Sequence, residues 1–169
     1  ITKGSRMAVI FDAFGTLLKI QGGQHPYRSL LKIGIEQGRR PAPDDARVLM
    51  TEPLESLAAV AKRLGIAVSE SELDVLEKVL TDEVAAIEAY PDGVEAVSLL
   101  QNSGVRVAVC SNLASPYRAA IKKHYPALDA YVFSCDVGHI KPQPQIYKAA
   151  CEALGVEPGQ THMIGDSSL

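Results

Sequence analysis

The chain has 169 residues, a formal net charge of −3 and no tryptophan. That length allows one core domain with a small insertion. The basic residues are scattered, so neither nucleic acid nor an anionic membrane surface is expected as a partner.

The densest basic spots, Arg39-Arg40 and Lys122-Lys123, fall where helices are expected to end, and helix dipoles account for them. No apolar run is long enough to span a bilayer, and the N-terminal residues lack a secretory apolar region. Cys110, Cys135 and Cys151 are odd in number and share no Cys-x-x-Cys spacing, which argues against a disulfide framework and a zinc site. A cytoplasmic setting is the resulting expectation.

Residues 7–11 form a short apolar run suited to a buried parallel strand. The run stops on Asp12, and Gly15 supplies freedom for a sharp turn. A polar, glycine-containing stretch over 19–24 reads as a hinge. From 25 to about 89 the pattern is helical throughout. Tyr27, Leu30, Leu31 and Ile35 share one stripe, and a short helix spans 44–50. Pro53 suits a first helical turn ahead of Leu54, Leu57, Ala61 and Leu64. Ser69 and Glu72 have capping-box spacing before Leu73, Leu76, Leu80, Val84 and Ile87. This all-helical segment, 21–89, reads as an insertion with its own small core.

Strand and helix then alternate. A helix over about 94–103 precedes a continuous buried strand at 105–110. Ser115-Pro116 reads as a cap and first-turn proline for a helix to about His124. Residues 131–134 are the next strand, Lys141-Pro142 lies in a loop, Pro144 opens a helix closed by Gly155, and 161–164 form the last strand. The alternation predicts an α/β fold, a Rossmann-like parallel sheet with helices on both faces.

In such a sheet the carboxyl ends of the strands form the ligand-binding rim. Asp12, Ser111-Asn112, Lys141 and Gly165-Asp166 would all gather there. Each has an ordinary structural reading alone: Asp12 or Ser111 as a turn cap, Lys141 as a solvated loop charge, Asp166 as a turn residue. Their joint placement is what points to chemistry.

The four segments Asp12-Ala13-Phe14-Gly15-Thr16, Ser111-Asn112, Lys141-Pro142 and Gly165-Asp166 resemble, in order, the four signature motifs of the haloacid dehalogenase-like (HAD) hydrolases. The resemblance implies a core over 1–20 and 90–169 with a helical cap over 21–89. It also implies that the chain stops short of a further helix and strand. By resemblance, Asp12 is the nucleophile of a covalent intermediate, and Ser111 and the backbone at Asn112 bind substrate oxygens together with Thr16 and Phe14. Lys141 would keep Asp12 ionised and offset the charge of a small anionic substrate. A Mg²⁺ ion would be held by Asp12, the Phe14 carbonyl and Asp166, hard oxygen ligands suited to that metal.

One position departs from the phosphatase pattern. Phe14 stands where phosphatases of the family carry a second aspartate, the general acid. An aromatic residue there resembles the metal-free 2-haloacid dehalogenases instead. Gly165-Asp166, however, is the metal-binding form of the last motif, which dehalogenases replace. A Mg²⁺-dependent hydrolase of a small phosphorylated compound is therefore expected first and a 2-haloacid dehalogenase second. A ligand- or partner-binding protein that keeps the fold comes third. Arg28, Arg39 and Arg40 are the candidate halide-binding arginines. Lys32 and Lys62 could serve phosphonate cleavage.

Overall fold

The computed structural model describes residues 7–165, so the expected metal ligand Asp166 lies outside the described residues. In chain order, β1 (Ala8–Phe11) and the two-residue β2 (Leu18–Lys19) precede four helices, α1 (Pro26–Glu36), α2 (Asp45–Thr51), α3 (Leu57–Leu64) and α4 (Glu70–Ala85). β3 (Glu88–Ala89) leads to α5 (Pro91–Asn102), β4 (Arg106–Ser111), α6 (Arg118–His124) and β5 (Ala130–Phe133). The short α7 (Ser134–Val137), α8 (Pro144–Leu154) and β6 (Thr161–Ile164) complete the order.

β1 is first in sequence but internal in the sheet, whose order is β5-β4-β1-β6. All of its pairings are parallel, Phe11 standing opposite Val109 of β4 and Ile164 of β6. Its four residues are all buried, because each face of the sheet carries helices. Val9, Phe11, Val107 and Val109 pack with Val97 of α5 and Ile121 of α6. Their period-2 neighbours Ala8, Ile10, Ala108 and Cys110 pack with Ile146, Ala150 and Leu154 of α8. Parallel strands joined by helical crossovers demand this double cover.

The four helices between β2 and β3 bury Leu30, Leu57, Val60, Ala61 and Leu80 in a separate cluster. Ser56 caps α3, accepting from the Ala59 N–H at 3.1 Å. Pro53 and Leu54 therefore precede that helix rather than opening it. Ser69 caps α4 as its spacing predicts, accepting from the Glu72 N–H at 3.2 Å. Arg39 ties the cluster together from the end of α1. Its guanidinium donates to both carboxylate oxygens of Asp45 at 2.8 Å and to the Leu64 carbonyl at 2.8 Å.

Two features were not expected from the pattern. β2 pairs antiparallel with β3, Leu18 opposite Ala89, so the insertion hangs from a small two-stranded tether and not a bare hinge. The tether is fastened to the core at the Leu17 carbonyl, which accepts from the Tyr90 N–H at 3.0 Å and from the Tyr125 hydroxyl at 2.8 Å. The second feature concerns the stretch after β4. A single 3₁₀ turn, Ser115–Tyr117, precedes α6, and its N-cap is Ala114. Ser115 is thus inside the turn, and its hydroxyl caps nothing.

The Arg39 guanidinium holds the Asp45 carboxyl below its ordinary range, against the opposing effect of burial. A carboxylate with a lowered folded-state pKa contributes stability above its unfolded pKa, and that contribution is lost as pH falls through the folded value. Asp45→Asn should therefore destabilise the protein at neutral pH in urea unfolding. The gap from wild type should narrow as the solution is acidified below about pH 4.

Candidate active site

Asp12 is the first residue past β1, and its N–H donates to the Ile164 carbonyl at 2.9 Å, extending the sheet by one rung. This rung places its carboxylate at the carboxyl ends of β1, β4 and β6. The turn that follows is wound around the Ala13 carbonyl, which accepts from the Leu17 and Leu18 N–H groups at 2.8 and 3.1 Å and from Thr16 at 3.3 Å. Gly15 takes φ 85° there, a left-handed conformation that a side chain would strain. The Phe14 carbonyl accepts no hydrogen bond among the described residues. It is available to an external cation.

Lys141 reaches from the loop before α8 and forms an ion pair with Asp12 Oδ1. The side chains are 19% and 15% exposed, so solvent screens the pair less than a surface pair. The other carboxylate oxygen, Oδ2, lies against Gly165. A Cβ at position 165 would collide with it. The glycine is required by close approach, and the chain leaves β6 beside the carboxylate.

Ser111 ends β4 and is buried. Asn112 does something its sequence position did not disclose. Its side chain clamps the backbone of Lys141, accepting from the Lys141 N–H at 2.7 Å and donating to the Lys141 carbonyl at 3.3 Å. Next to it, the Leu113 N–H donates to Ser134 Oγ at 2.9 Å, and that hydroxyl is fully buried. The loop after β4 is thereby fixed on one side to the lysine loop and on the other to α7. Behind the ion pair sits Cys110, whose thiol burial pushes up to about 11, with Asp12 adding to the push and Lys141 opposing it. It is a protonated bystander at neutral pH.

Above the rim, the core and the helical insertion meet along a seam whose residues sequence reasoning missed. Tyr117 packs edge-on to Phe14 with ring centroids 6.1 Å apart, and on its far side meets Tyr27 of α1 at 6.3 Å. Its hydroxyl donates to Glu83 of α4 at 2.7 Å. Arg118, the next residue, donates to Glu55 of the insertion and to Asp136 of α7, both at 2.6 Å. Burial pushes both tyrosine hydroxyls well above their ordinary pKa, which keeps them neutral.

The remaining candidates are not gathered at the rim by these contacts. Arg39 is committed to Asp45 and Leu64, and Arg28, Arg40, Lys32 and Lys62 are exposed on the insertion. Thr16 is half-buried in the turn after Asp12. Among the described residues no three His, Cys, Asp or Glu side chains form a metal-holding group. The described oxygen ligands are the Asp12 carboxylate and the Phe14 carbonyl, and both are hard donors that fit Mg²⁺. Among the described residues no helix is long and apolar enough to cross a membrane.

A sequence model described as haloacid dehalogenase-like hydrolase matches residues 7–168. The chain is 28% identical over 178 residues to (S)-2-haloacid dehalogenase 4A of Burkholderia cepacia, covering 97% of this chain and 76% of that protein. It is 29% identical over 164 residues to a phosphatase of Mycobacterium tuberculosis (strain CDC 1551 / Oshkosh), covering 88% and 73%. The crystal structure of a HAD family enzyme from Bacteroides thetaiotaomicron has the same fold, with a TM-score of 0.64 and 19% identity over 96% of this chain and 85% of that one.

The Asn112 clamp makes a direct prediction. Removing it in Asn112→Ala deletes the acceptor of the Lys141 N–H, and hydrogen exchange at that amide should quicken about tenfold or more. Exchange in β1 should stay as in wild type when read by mass spectrometry or NMR.

Proposed function

Because the chain belongs to the haloacid dehalogenase-like hydrolases, we propose that it hydrolyses a small phosphorylated compound through Asp12. The observation that carries this reading is the closeness of Gly165 to Asp12 Oδ2, together with the free Phe14 carbonyl. The Asp12 carboxylate and the Phe14 carbonyl are hard oxygen donors that could hold a cation, and the sequence continues directly to Asp166. Mg²⁺ would be held by Asp12, the Phe14 carbonyl and Asp166, and would neutralise phosphoryl charge. A HAD family enzyme of the same fold from Bacteroides thetaiotaomicron has been crystallised with magnesium and inorganic phosphate.

The chain's own residues divide the work. An Asp12 oxygen attacks phosphorus, the P–O bond to the alcohol breaks, and an aspartyl phosphate forms. Water then attacks that intermediate, releasing inorganic phosphate and restoring the carboxylate. Lys141 pairs with the Asp12 carboxylate and offsets the charge of the incoming phosphoryl group. Ser111 and the backbone at Asn112 donate to phosphoryl oxygens, while Thr16 and Phe14 line the approach. Asn112 holds Lys141 in place through its side chain. The insertion, 21–89, acts as a cap over the core, 1–20 and 90–169, and excludes water when closed.

Phe14 cannot protonate the leaving oxygen, and general acid help is worth about 10²–10⁴-fold. The enzyme should therefore favour substrates whose leaving oxygen needs no proton. The second reading, 2-haloacid dehalogenation, draws on the same Phe14 and on the relatives named for that activity. Against it, Arg39 is occupied by Asp45, and Arg28 and Arg40 are exposed.

The test is phosphate release with and without Mg²⁺, by wild type and by Asp12→Asn. The expected outcome is turnover that needs both the metal and Asp12, with p-nitrophenyl phosphate faster than an alkyl phosphate by about 10²-fold or more. Chloride release from 2-chloropropionate without metal, and no phosphate release, would transfer the assignment to the dehalogenase reading.

A further inference from the structure

Arg118 stands where the core, the insertion and α7 meet, and its guanidinium is fixed on three sides. Nε donates to the Ser115 carbonyl at 3.1 Å. One terminal nitrogen donates to Asp136 of α7 and the other to Glu55 of the insertion, both at 2.6 Å. A planar fork with donors in fixed directions suits that task, where a flexible ammonium would hold one partner at a time. The insertion also touches the same short helix directly. α2 packs on α7, and a Cβ at Gly138, the residue that closes α7, would lie 3.8 Å from the Thr51 carbonyl oxygen.

Lys141 follows three residues after Gly138, and the loop between them is braced. The Ile140 N–H donates to Gln143 Oε1 at 2.9 Å, and the Gln143 N–H donates back to the Ile140 carbonyl at 2.8 Å. At the other end of α7, Ser134 Oγ accepts from the Leu113 N–H at 2.9 Å and donates to the Leu113 carbonyl at 3.3 Å. Segment 134–141 is therefore pinned at its start by Leu113 and at its end by the Asn112 clamp. Its middle, Asp136 and Gly138, is the part that meets Arg118 and the insertion. The side chains of Glu55 and Asp136 are 62% and 43% exposed, so these pairs add little to the stability of the fold. Weak pairs suit a contact that breaks whenever the insertion lifts. What they govern is the place of α7.

We propose that Arg118 is a positioning residue for Lys141. With the insertion docked through Glu55, Arg118 holds Asp136 and so sets the braced loop that brings the lysine to Asp12. When the insertion lifts, that hold is lost and the ion pair loosens, so the site is fully assembled only when covered. This role goes beyond the phosphate reading, because it holds for any substrate that reacts at Asp12.

The test reads amide hydrogen exchange by NMR, with β1 as the internal reference. In Glu55→Ala, which trims an exposed side chain of the insertion, the Ile140 and Lys141 amides should exchange about threefold faster or more, while β1 stays as in wild type. Asp136→Ala should do the same. Glu55→Ala added to Asp136→Ala should change the lysine loop no further, because the two carboxylates act in series through one guanidinium. Arg118→Lys keeps the charge but cannot fill three positions at once, and should match Asp136→Ala. In phosphate release from p-nitrophenyl phosphate, these variants should lower kcat more than they raise KM.

Exchange that quickens at Tyr117 but not at Lys141 would make Arg118 a tether of the insertion alone and overturn the proposal. Additive effects of Glu55→Ala and Asp136→Ala, or an effect on KM alone, would overturn it too. If wild type releases no phosphate but the exchange pattern holds, the phosphate reading fails and the positioning role stands. Unchanged exchange at Lys141 in an enzyme that releases phosphate removes the role and leaves the reaction.

Discussion

The ion pair between Asp12 and Lys141 is the constraint on which the rest of the site depends. A carboxylate at the end of a buried parallel strand is surrounded by apolar sheet, and removing its charge from water is expensive unless a cation stands beside it. The fold supplies that cation from 129 residues away in sequence. It then immobilises the backbone carrying the cation with Asn112, a residue of the neighbouring strand's exit. Ser111 and Asn112, adjacent in sequence, thus face different tasks: one ends β4 at the rim, and the other governs the lysine loop. The same geometry forces glycine at 165, because the chain leaving β6 passes against the second carboxylate oxygen.

The seam extends this arrangement outward. Tyr117 and Arg118 are consecutive residues, and each grips a carboxylate of the insertion, Glu83 and Glu55. They begin six residues beyond Ser111, in the same connection that carries Asn112. Opening the insertion away from the core would therefore break contacts made by the segment that holds the lysine loop. Tyr117 also belongs to both apolar clusters, packing against the sheet's core and the insertion's. Its ring couples the two by contact, and its hydroxyl does so by hydrogen bonding.

Much of this was legible in the residues themselves. Asp12, Ser111 and Gly165 each end or follow an apolar run, Lys141 was legible only as a loop residue, and continuous apolar runs made the strands readable to within a residue or so. Helix stripes at Leu30, Leu57 and Leu80 announced the insertion's core, because burial of one face leaves a periodic trace. The seam left none. Tyr117 and Arg118 fit a helical turn whatever they touch, and their partners lie 34 and 63 residues away. β2 and β3 are two residues each, too short for any alternation to show. The Asn112 clamp was hidden because only the backbone at Asn112 was expected to act, and a side chain that holds a backbone has no signature of its own. Ser115-Pro116 misled through a real preference, since serine before proline usually caps a helix, but here the turn began one residue earlier.

The order β5-β4-β1-β6 has a bearing on how the protein is made. β1, which leads to Asp12, leaves the ribosome before the strands it pairs with, yet it has no partner until β4 arrives about a hundred residues later, and it stays an open edge on its other side until β6 follows. Closing loops of that size before any ladder forms slows folding. During synthesis, the Ala-Val-Ile-Phe run of β1 is an unpaired apolar strand, the kind of segment that chaperones and aggregation compete for. The compensation is that Asp12 meets Lys141 only after most of the chain exists. A nascent chain that has not yet reached Lys141 carries no assembled Asp12–Lys141 pair.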